Sequence, residues 1–188
     1  MSDRTLAGRR VAILATDGFE QSELVEPMRR LLEAGATVTL LSNHEGDVQG
    51  MLGLDRLDRF PVDARVTPEM ADGFAGLVVP GGVKSPDKLR TDPASVEFVR
   101  RFIDAGRPVA AVCHGPALLI ETGRLGGRTV TSYPSLRTDV LNAGGEWVDA
   151  EVIDDDGLIT SRRPEDLPAF CDAFEAALVG STAVAGRR

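Results

Sequence analysis

A cysteine and a histidine stand side by side at positions 113 and 114, between the apolar run Val109-Ala110-Ala111-Val112 and the dipeptide Gly115-Pro116. An apolar strand-like run that stops at a reactive residue and continues into Gly-Pro reads as a strand-to-helix elbow. Pro116 can open the helix, because the N–H it lacks would have had no intrahelical partner. A thiol held there meets the partial positive charge of a helix N-terminus and a neighbouring imidazole, and both favour thiolate over thiol. The arrangement predicts a depressed pKa and a nucleophilic Cys113. The competing reading is a buried cysteine packing as a small hydrophobe at a strand end. The His-Gly-Pro that follows favours the nucleophile.

Other stretches carry weaker chemical signals. Pro80-Gly81-Gly82 closes the apolar run Ala75–Val79. Glycines after a strand let backbone N–H groups turn toward an incoming anion, which a β-carbon would obstruct. The spacing is neither a GxGxxG fingerprint nor a P-loop. Asp17-Gly18-Phe19-Glu20-Gln21-Ser22 forms a loop after the first apolar run. Lys84 and Lys88 are the only lysines, so Schiff-base chemistry has few candidates. Asp154-Asp155-Asp156-Gly157 lacks the EF-hand spacing and reads as a solvated hairpin turn. His44 has no Cys or acidic partner at metal-ligand spacing and is expected to face solvent, so no metal site is expected.

The elements that must position these residues alternate between strands and helices. Arg9–Thr16, Thr37–Leu41, Ala75–Val79 and Val109–Val112 read as buried parallel strands. Helices are expected over Glu23–Ala34 with Ser22 as cap, Pro93–Asp104, Pro116–Thr122, Pro134–Asn142, and from an Asp166 cap to Leu178. His44–Phe60 reads as short strands or a hairpin, and Arg128–Ser132 as a further strand. Trp147–Ile153 with Leu158–Ser161 reads as a hairpin, and Gly180–Arg188 as a frayed tail. No repeat or linker interrupts the 188 residues, so one α/β domain is expected, a doubly wound sandwich with helices on both faces of a mostly parallel sheet. Ligands of such sheets bind beyond the carboxyl ends of the strands. The loops at Gly18–Ser22, Gly81–Arg90 and Cys113–Pro116 converge if the first, third and fourth strands are neighbours.

A net charge of −8 argues against a general nucleic-acid or anionic-membrane surface. Polar N-terminal residues and the lack of a long apolar run lead to a cytoplasmic expectation. Cys113 and Cys171 are too few for a disulfide scaffold, and Cys171, inside a helix, is expected to be inert.

Val-Cys-His-Gly-Pro at 112–116, Pro-Gly-Gly at 80–82, Asp-Gly-Phe-Glu at 17–20 and Ser-Arg-Arg-Pro-Glu-Asp-Leu-Pro-Ala-Phe at 161–170 together resemble the ThiJ/PfpI superfamily, in its PfpI-type peptidase, general-stress-protein and deglycase branch. The resemblance implies a flavodoxin-like fold, Cys113 as nucleophile and His114 as its partner. It also implies Glu20 as the protonated glutamate against the cysteine, and Asp87 as an acid contributed from a neighbouring subunit. Backbone N–H groups of Gly82 and His114 are the expected oxyanion donors, with Gly81 in the same turn. A carboxyl buried beside a thiolate should have a raised pKa, and the two groups should titrate as a pair.

The leading expectation is an enzyme without metal or nucleotide cofactor that acts on small reactive dicarbonyls such as methylglyoxal, or on early glycation adducts. An intracellular cysteine peptidase using Cys113, His114 and Asp87 is the alternative, and a redox sensor or chaperone in which Cys113 oxidises is a third. A homo-oligomer, dimer or larger, accompanies the Asp87 reading.

Overall fold

The computed structural model describes residues 5–181. In chain order the elements are β1 (Arg10–Leu14), β2 (Phe19–Glu20), α1 (Gln21–Glu33), β3 (Thr37–Ser42), β4 (Asp47–Leu52), β5 (Asp55–Pro61) and β6 (Ala64–Arg65). They continue with β7 (Gly76–Val79), α2 (Lys84–Leu89), α3 (Pro93–Asp104), β8 (Val109–Val112), α4 (Pro116–Glu121), β9 (Thr129–Val130) and α5 (Arg137–Asn142). The last are β10 (Glu146–Trp147), β11 (Val152–Asp155), β12 (Leu158–Ser161) and α6 (Leu167–Gly180).

The central sheet has the order β11-β12-β8-β7-β1-β3-β6, and every pairing in it is parallel except that of β11 with β12. The alternation of side chains along each strand builds a core on either face. Val11, Ile13, Val78, Ala110 and Val112 pack with Leu24 and Leu31 of α1 and with Phe170, Phe174 and Leu178 of α6. Ala12, Leu14, Leu77, Val79, Val109 and Ala111 pack on the opposite face with Phe98, Val99 and Phe102 of α3, Leu118 and Leu119 of α4, and Val140 of α5. This is the doubly wound α/β sandwich expected from the alternation. β1, β7 and β8 are adjacent, so their carboxyl-end loops do converge.

Local differences have identifiable causes. Helix α1 starts at Gln21, not Glu23, and Glu20 takes the cap position without a side-chain cap bond, so Ser22 lies inside the helix. Asp166 stands at the start of α6 but does not cap it, because its carboxylate is held by the Arg162 guanidinium at 2.9 Å. Trp147 does not join the hairpin. It pairs in parallel with Val130, its indole N–H donating to Ser132 Oγ, and this leaves β11 and β12 as the antiparallel pair turned by Asp154–Gly157. The His44–Phe60 stretch forms the expected hairpin, β4 with β5, and β2 pairs with β4. His44 is half-buried, 3.7 Å from the Asp17 carboxylate. Asp154 Oδ1 accepts from the Gly157 N–H at 2.9 Å, as a turn requires. Of the tail expected from Gly180, residue 180 ends α6 and residues 182–188 lie outside the described part of the chain.

The turn between β8 and α4 is tightly packed against backbone. A β-carbon on Gly115 would lie 2.5 Å from the Val79 carbonyl oxygen and 2.9 Å from that of Val112, both backbone atoms that cannot swing away. Gly115→Ala should therefore destabilise the fold by about 1–3 kcal/mol, the usual cost of overpacking. Its thermal midpoint should fall by at least roughly 2 °C per kcal/mol in a chain of this size. Gly126→Ala, where a β-carbon meets nothing, is the control. Equal melting of the two variants would contradict the crowding at Gly115.

Candidate functional site

Cys113 terminates β8 with φ of 61°, a left-handed conformation rare for a residue with a side chain. The surrounding backbone holds it there. The Cys113 N–H donates to the Ser161 carbonyl at 3.0 Å, and its carbonyl accepts from the Tyr133 N–H at 2.8 Å. The strand-to-helix elbow read from the sequence is therefore present. The residue is 8% exposed, at the convergence of the three carboxyl-end loops.

Backbone N–H groups of Gly82 and His114, the expected oxyanion donors, point at Cys113 Sγ. Gly82 has φ of 74°, and a β-carbon there would press within 2.5 Å of the Gly18 carbonyl oxygen. Gly81 differs from the expectation that it helps bind an anion. Its N–H donates instead to Glu23 Oε2 at 2.8 Å. A β-carbon on Gly81 would sit 2.7 Å from that carboxylate oxygen, 2.7 Å from the Val112 carbonyl and 2.8 Å from Cys113 Cβ. Glycine is what lets a carboxyl group and the cysteine approach each other here.

The carboxyl group beside Cys113 belongs to Glu23, not Glu20. Glu23 lies in the first turn of α1 and is fully buried, and its Oε1 has no hydrogen-bond partner beyond the neighbouring thiol. Glu20 is only half-buried, and its Oε2 accepts from the Gly53 N–H at 3.1 Å, pinning the β4–β5 turn. The expectation of Glu20 rested on the motif Asp-Gly-Phe-Glu; Glu20 takes the cap position of α1 and turns to the hairpin, whereas Glu23, inside the first turn, faces the thiol. The signal for Glu23 was available: with Pro27 and Leu31 it lies on the buried stripe of α1, where an acid has no structural reason to be.

Burial dominates the electrostatics. It raises the Glu23 pKa to about 8, the Gly81 N–H partly opposing and the nearby Glu20 charge adding to the rise. Burial, and then the charge on Glu23, also push the Cys113 thiol up, against the pull of the Gly82 and His114 N–H groups. The depressed thiol pKa expected from the elbow is not what this environment produces. Burial lowers the His114 pKa as well, so the imidazole is neutral and supplies no cation to attract a thiolate. Two acids in contact, both shifted up, titrate as a pair and both keep their protons at neutrality. Once the thiol gives up its proton, the Glu23 O–H and two peptide N–H groups are placed to stabilise the sulfur anion.

His114 Nδ1 lies 3.3 Å from Cys113 Sγ, and its Nε2 lies 3.2 Å from Ser135 Oγ. The ring stacks on Tyr133 with centroids 4.7 Å apart. Ser135 and Tyr133 were not singled out in the sequence: the helix expected from Pro134 opens with a 3-10 turn, Pro134–Leu136, and becomes α5 only at Arg137, so Tyr133 and Ser135 turn toward His114. Asp87 is exposed on α2, and within the chain it makes no hydrogen bond or ion pair with His114. Cys171 is buried between α1 and α6, its thiol pushed up to about 12, which agrees with an inert role. Among the described residues there is no cluster of His, Cys, Asp and Glu that could hold a metal, and no helix long and apolar enough to cross a membrane.

The profile of the DJ-1/PfpI family matches residues 9–177. The chain belongs to the DJ-1/PfpI family. A Pyrococcus abyssi DJ-1/PfpI relative named as a deglycase is 41% identical over 165 residues, covering 88% of this chain and 96% of that one. General stress protein 18 of Bacillus subtilis is 42% identical over 165 residues, covering 87% and 94%. Among solved structures, a two-domain protein from Anabaena variabilis with DJ-1/ThiJ/PfpI-like and ferritin-like domains superposes with a TM-score of 0.85 at 36% identity. That match covers 90% of this chain and 48% of the other. The flavodoxin-like fold expected from the DJ-1/PfpI resemblance is thus present.

The raised pKa of Glu23 carries a stability signature. The folded state holds this proton more tightly than the unfolded chain, whose glutamate titrates near 4.5. The resulting stabilisation is complete below that pH and is lost as pH rises toward about 8. Thermal melts of wild type minus Glu23→Gln should therefore decline between pH 5 and about 8. A difference that stays flat over this window would contradict a protonated Glu23.

Proposed function

We propose that this protein is a cysteine-dependent enzyme acting on small 2-oxoaldehydes or their early adducts, of deglycase or cofactor-independent glyoxalase type. The observation that carries the reading is the buried Glu23 carboxyl facing Cys113 across Gly81, with two backbone N–H groups aimed at the sulfur. The deglycase name of a relative 41% identical over almost its whole length supports the same chemistry.

With methylglyoxal, the Cys113 thiol passes its proton to the neutral His114 imidazole, 3.3 Å away, as sulfur adds to the aldehyde carbon, forming a C–S bond while the carbonyl oxygen takes a proton from Glu23. The resulting hemithioacetal loses the hydrogen on that carbon to a neighbouring base, Glu23 now being ionised. The enediolate takes a proton from the His114 imidazolium on its oxygen; the enediol so formed is then protonated by Glu23 on the adjacent carbon and returns the hydroxyl proton of the sulfur-bearing carbon to that carboxylate, giving a thioester of lactate. Water cleaves the C–S bond and returns the thiol. The aldehyde carbon is oxidised and the ketone carbon reduced by the same amount, so no external oxidant or reductant enters. The Gly82 and His114 N–H groups, aimed at the sulfur, serve in this reading as donors to the oxyanion formed beside it, and a neutral His114 can accept or donate through either ring nitrogen.

Acyl transfer to peptides is the alternative reading, favoured by the 3.3 Å contact of His114 Nδ1 with Cys113 Sγ. It requires an acid to orient the imidazole, and the group at its far nitrogen is Ser135. Asp87 enters that reading only from a partner subunit of a homo-oligomer. A cytoplasmic location accords with both readings.

Reduced protein should convert methylglyoxal to lactate without added metal, nucleotide or glutathione, and Cys113→Ser should abolish the conversion. Glu23→Gln should lower kcat by about 10²–10⁴-fold, the usual range for a lost general acid–base, whereas Glu20→Gln should cost less than tenfold. Full activity in Cys113→Ser would refute the reading. Release of fluorophore from peptide amides, lost in Asp87→Ala, together with no lactate from the reduced wild type, would favour the peptidase.

A further inference from the structure

Beside the Cys113 site lies a groove of about 390 Å³, lined by Asp17, Gly18, Gln49, Met51, Leu54, Arg56, Arg59 and Lys84. The chain as a whole carries a charge of −8, yet this groove gathers three cations against one carboxylate. That carboxylate is already engaged. Asp17 Oδ1 accepts from the Gln49 N–H at 3.0 Å, and Oδ2 faces Lys88 Nζ and His44 Nε2, each at 3.7 Å. Arg59 is steadied by Asp47, its Nε 3.5 Å from the carboxylate. Among the described residues, Arg56 and Lys84 have no ion-pair partner, so the groove presents unmatched positive charge from two sides, the β5 strand and the start of α2.

The groove joins the reactive centre through shared backbone. Lys84 lies over Gly18, where a β-carbon would come within 2.7 Å of the lysine Cβ. The carbonyl of Gly18 backs Gly82, whose N–H points at Cys113. The Glu20 carboxylate holds the turn of the β4–β5 hairpin, which carries Arg56 and Arg59, against the same loop. Met51 and Leu54 add an apolar edge. Converging Arg and Lys side chains recognise a phosphate, and an adjoining apolar edge takes an organic body.

We propose that this groove binds the phosphate of a phosphate-monoester substrate whose carbonyl end reaches Cys113, with Arg56, Arg59 and Lys84 as the binding cations. The assignment rests on the reading of Cys113 as the reactive group and adds the substrate class to it: small phosphorylated carbonyl compounds in preference to uncharged ones.

Glycerol 3-phosphate is the probe, with glycerol as its uncharged counterpart. By calorimetry, wild type should bind glycerol 3-phosphate saturably and glycerol not at all. The double variant Arg56→Ser/Lys84→Ser should bind at least tenfold more weakly. Arg124→Ser, which removes a cation that lines no part of the groove, should stay within twofold of wild type. Glycerol 3-phosphate should also slow alkylation of Cys113 by iodoacetamide in wild type and not in the double variant, with thermal melts confirming that each variant is folded. No saturable binding to wild type, equal binding by the double variant, an equal loss in Arg124→Ser, or binding without protection of Cys113 would each overturn the proposal. None of these readouts needs turnover, so an inactive protein would tell against the proposed chemistry while leaving the groove to be decided by binding.

Discussion

The Gly81 N–H reaches the Glu23 carboxylate at 2.8 Å through a gap that has no room for a β-carbon. Much of the reactive centre depends on that close approach. It brings the end of β7 against the first turn of α1 and leaves the other carboxyl oxygen for Cys113. It also accounts for both glycines of the Pro80-Gly81-Gly82 turn by different means. Gly81 is needed for space, and Gly82 for its positive φ and for an N–H turned toward sulfur. Burying an acid without a cation is costly, and a glutamate so placed lowers the cost by keeping its proton. A proton retained in this way is available at the one point where addition of sulfur to a carbonyl generates an oxyanion.

This arrangement changes how the cysteine is activated. An imidazolium or a helix dipole would make a free thiolate in the resting state. Here burial keeps His114 neutral and pushes the thiol up, so Cys113 and Glu23 both hold their protons at rest, and in the proposed chemistry they release them only when substrate adds. The left-handed conformation of Cys113 places the sulfur between the two N–H donors, and the bonds to Ser161 and Tyr133 keep it there. Reactivity then depends on local geometry and on exclusion of water more than on a permanent charge.

The four central strands were legible because β1, β3, β7 and β8 carry apolar or β-branched runs, and the Cys-His-Gly-Pro elbow announced itself by its breakers; the order of the strands is a condition of the converging loops, which the structure meets. Glu23 was not legible in the same way. Asp-Gly-Phe-Glu drew attention to Glu20, and only the true start of α1 shows that Glu23 faces inward while Glu20 faces the hairpin. Ser135 and Tyr133 reach His114 from the 3-10 turn that opens the Pro134 helix, whose packing against the elbow no local pattern encodes. The direction of the thiol shift was misjudged for a related reason, since burial at the sheet edge is a tertiary property that outweighs the short α4. Trp147 likewise follows a tertiary partner, the two-residue β9, and not the hairpin that its neighbours suggest.

The most direct test of the account is infrared spectroscopy of the reduced protein, comparing wild type with Glu23→Gln from pH 6 to pH 9. A carboxylic-acid C=O band present in wild type at pH 6, absent from the variant, and lost with a midpoint near 8 would place the proton where the account needs it. An ionised Glu23 already at pH 6, seen as no such band in the difference spectrum, would contradict it.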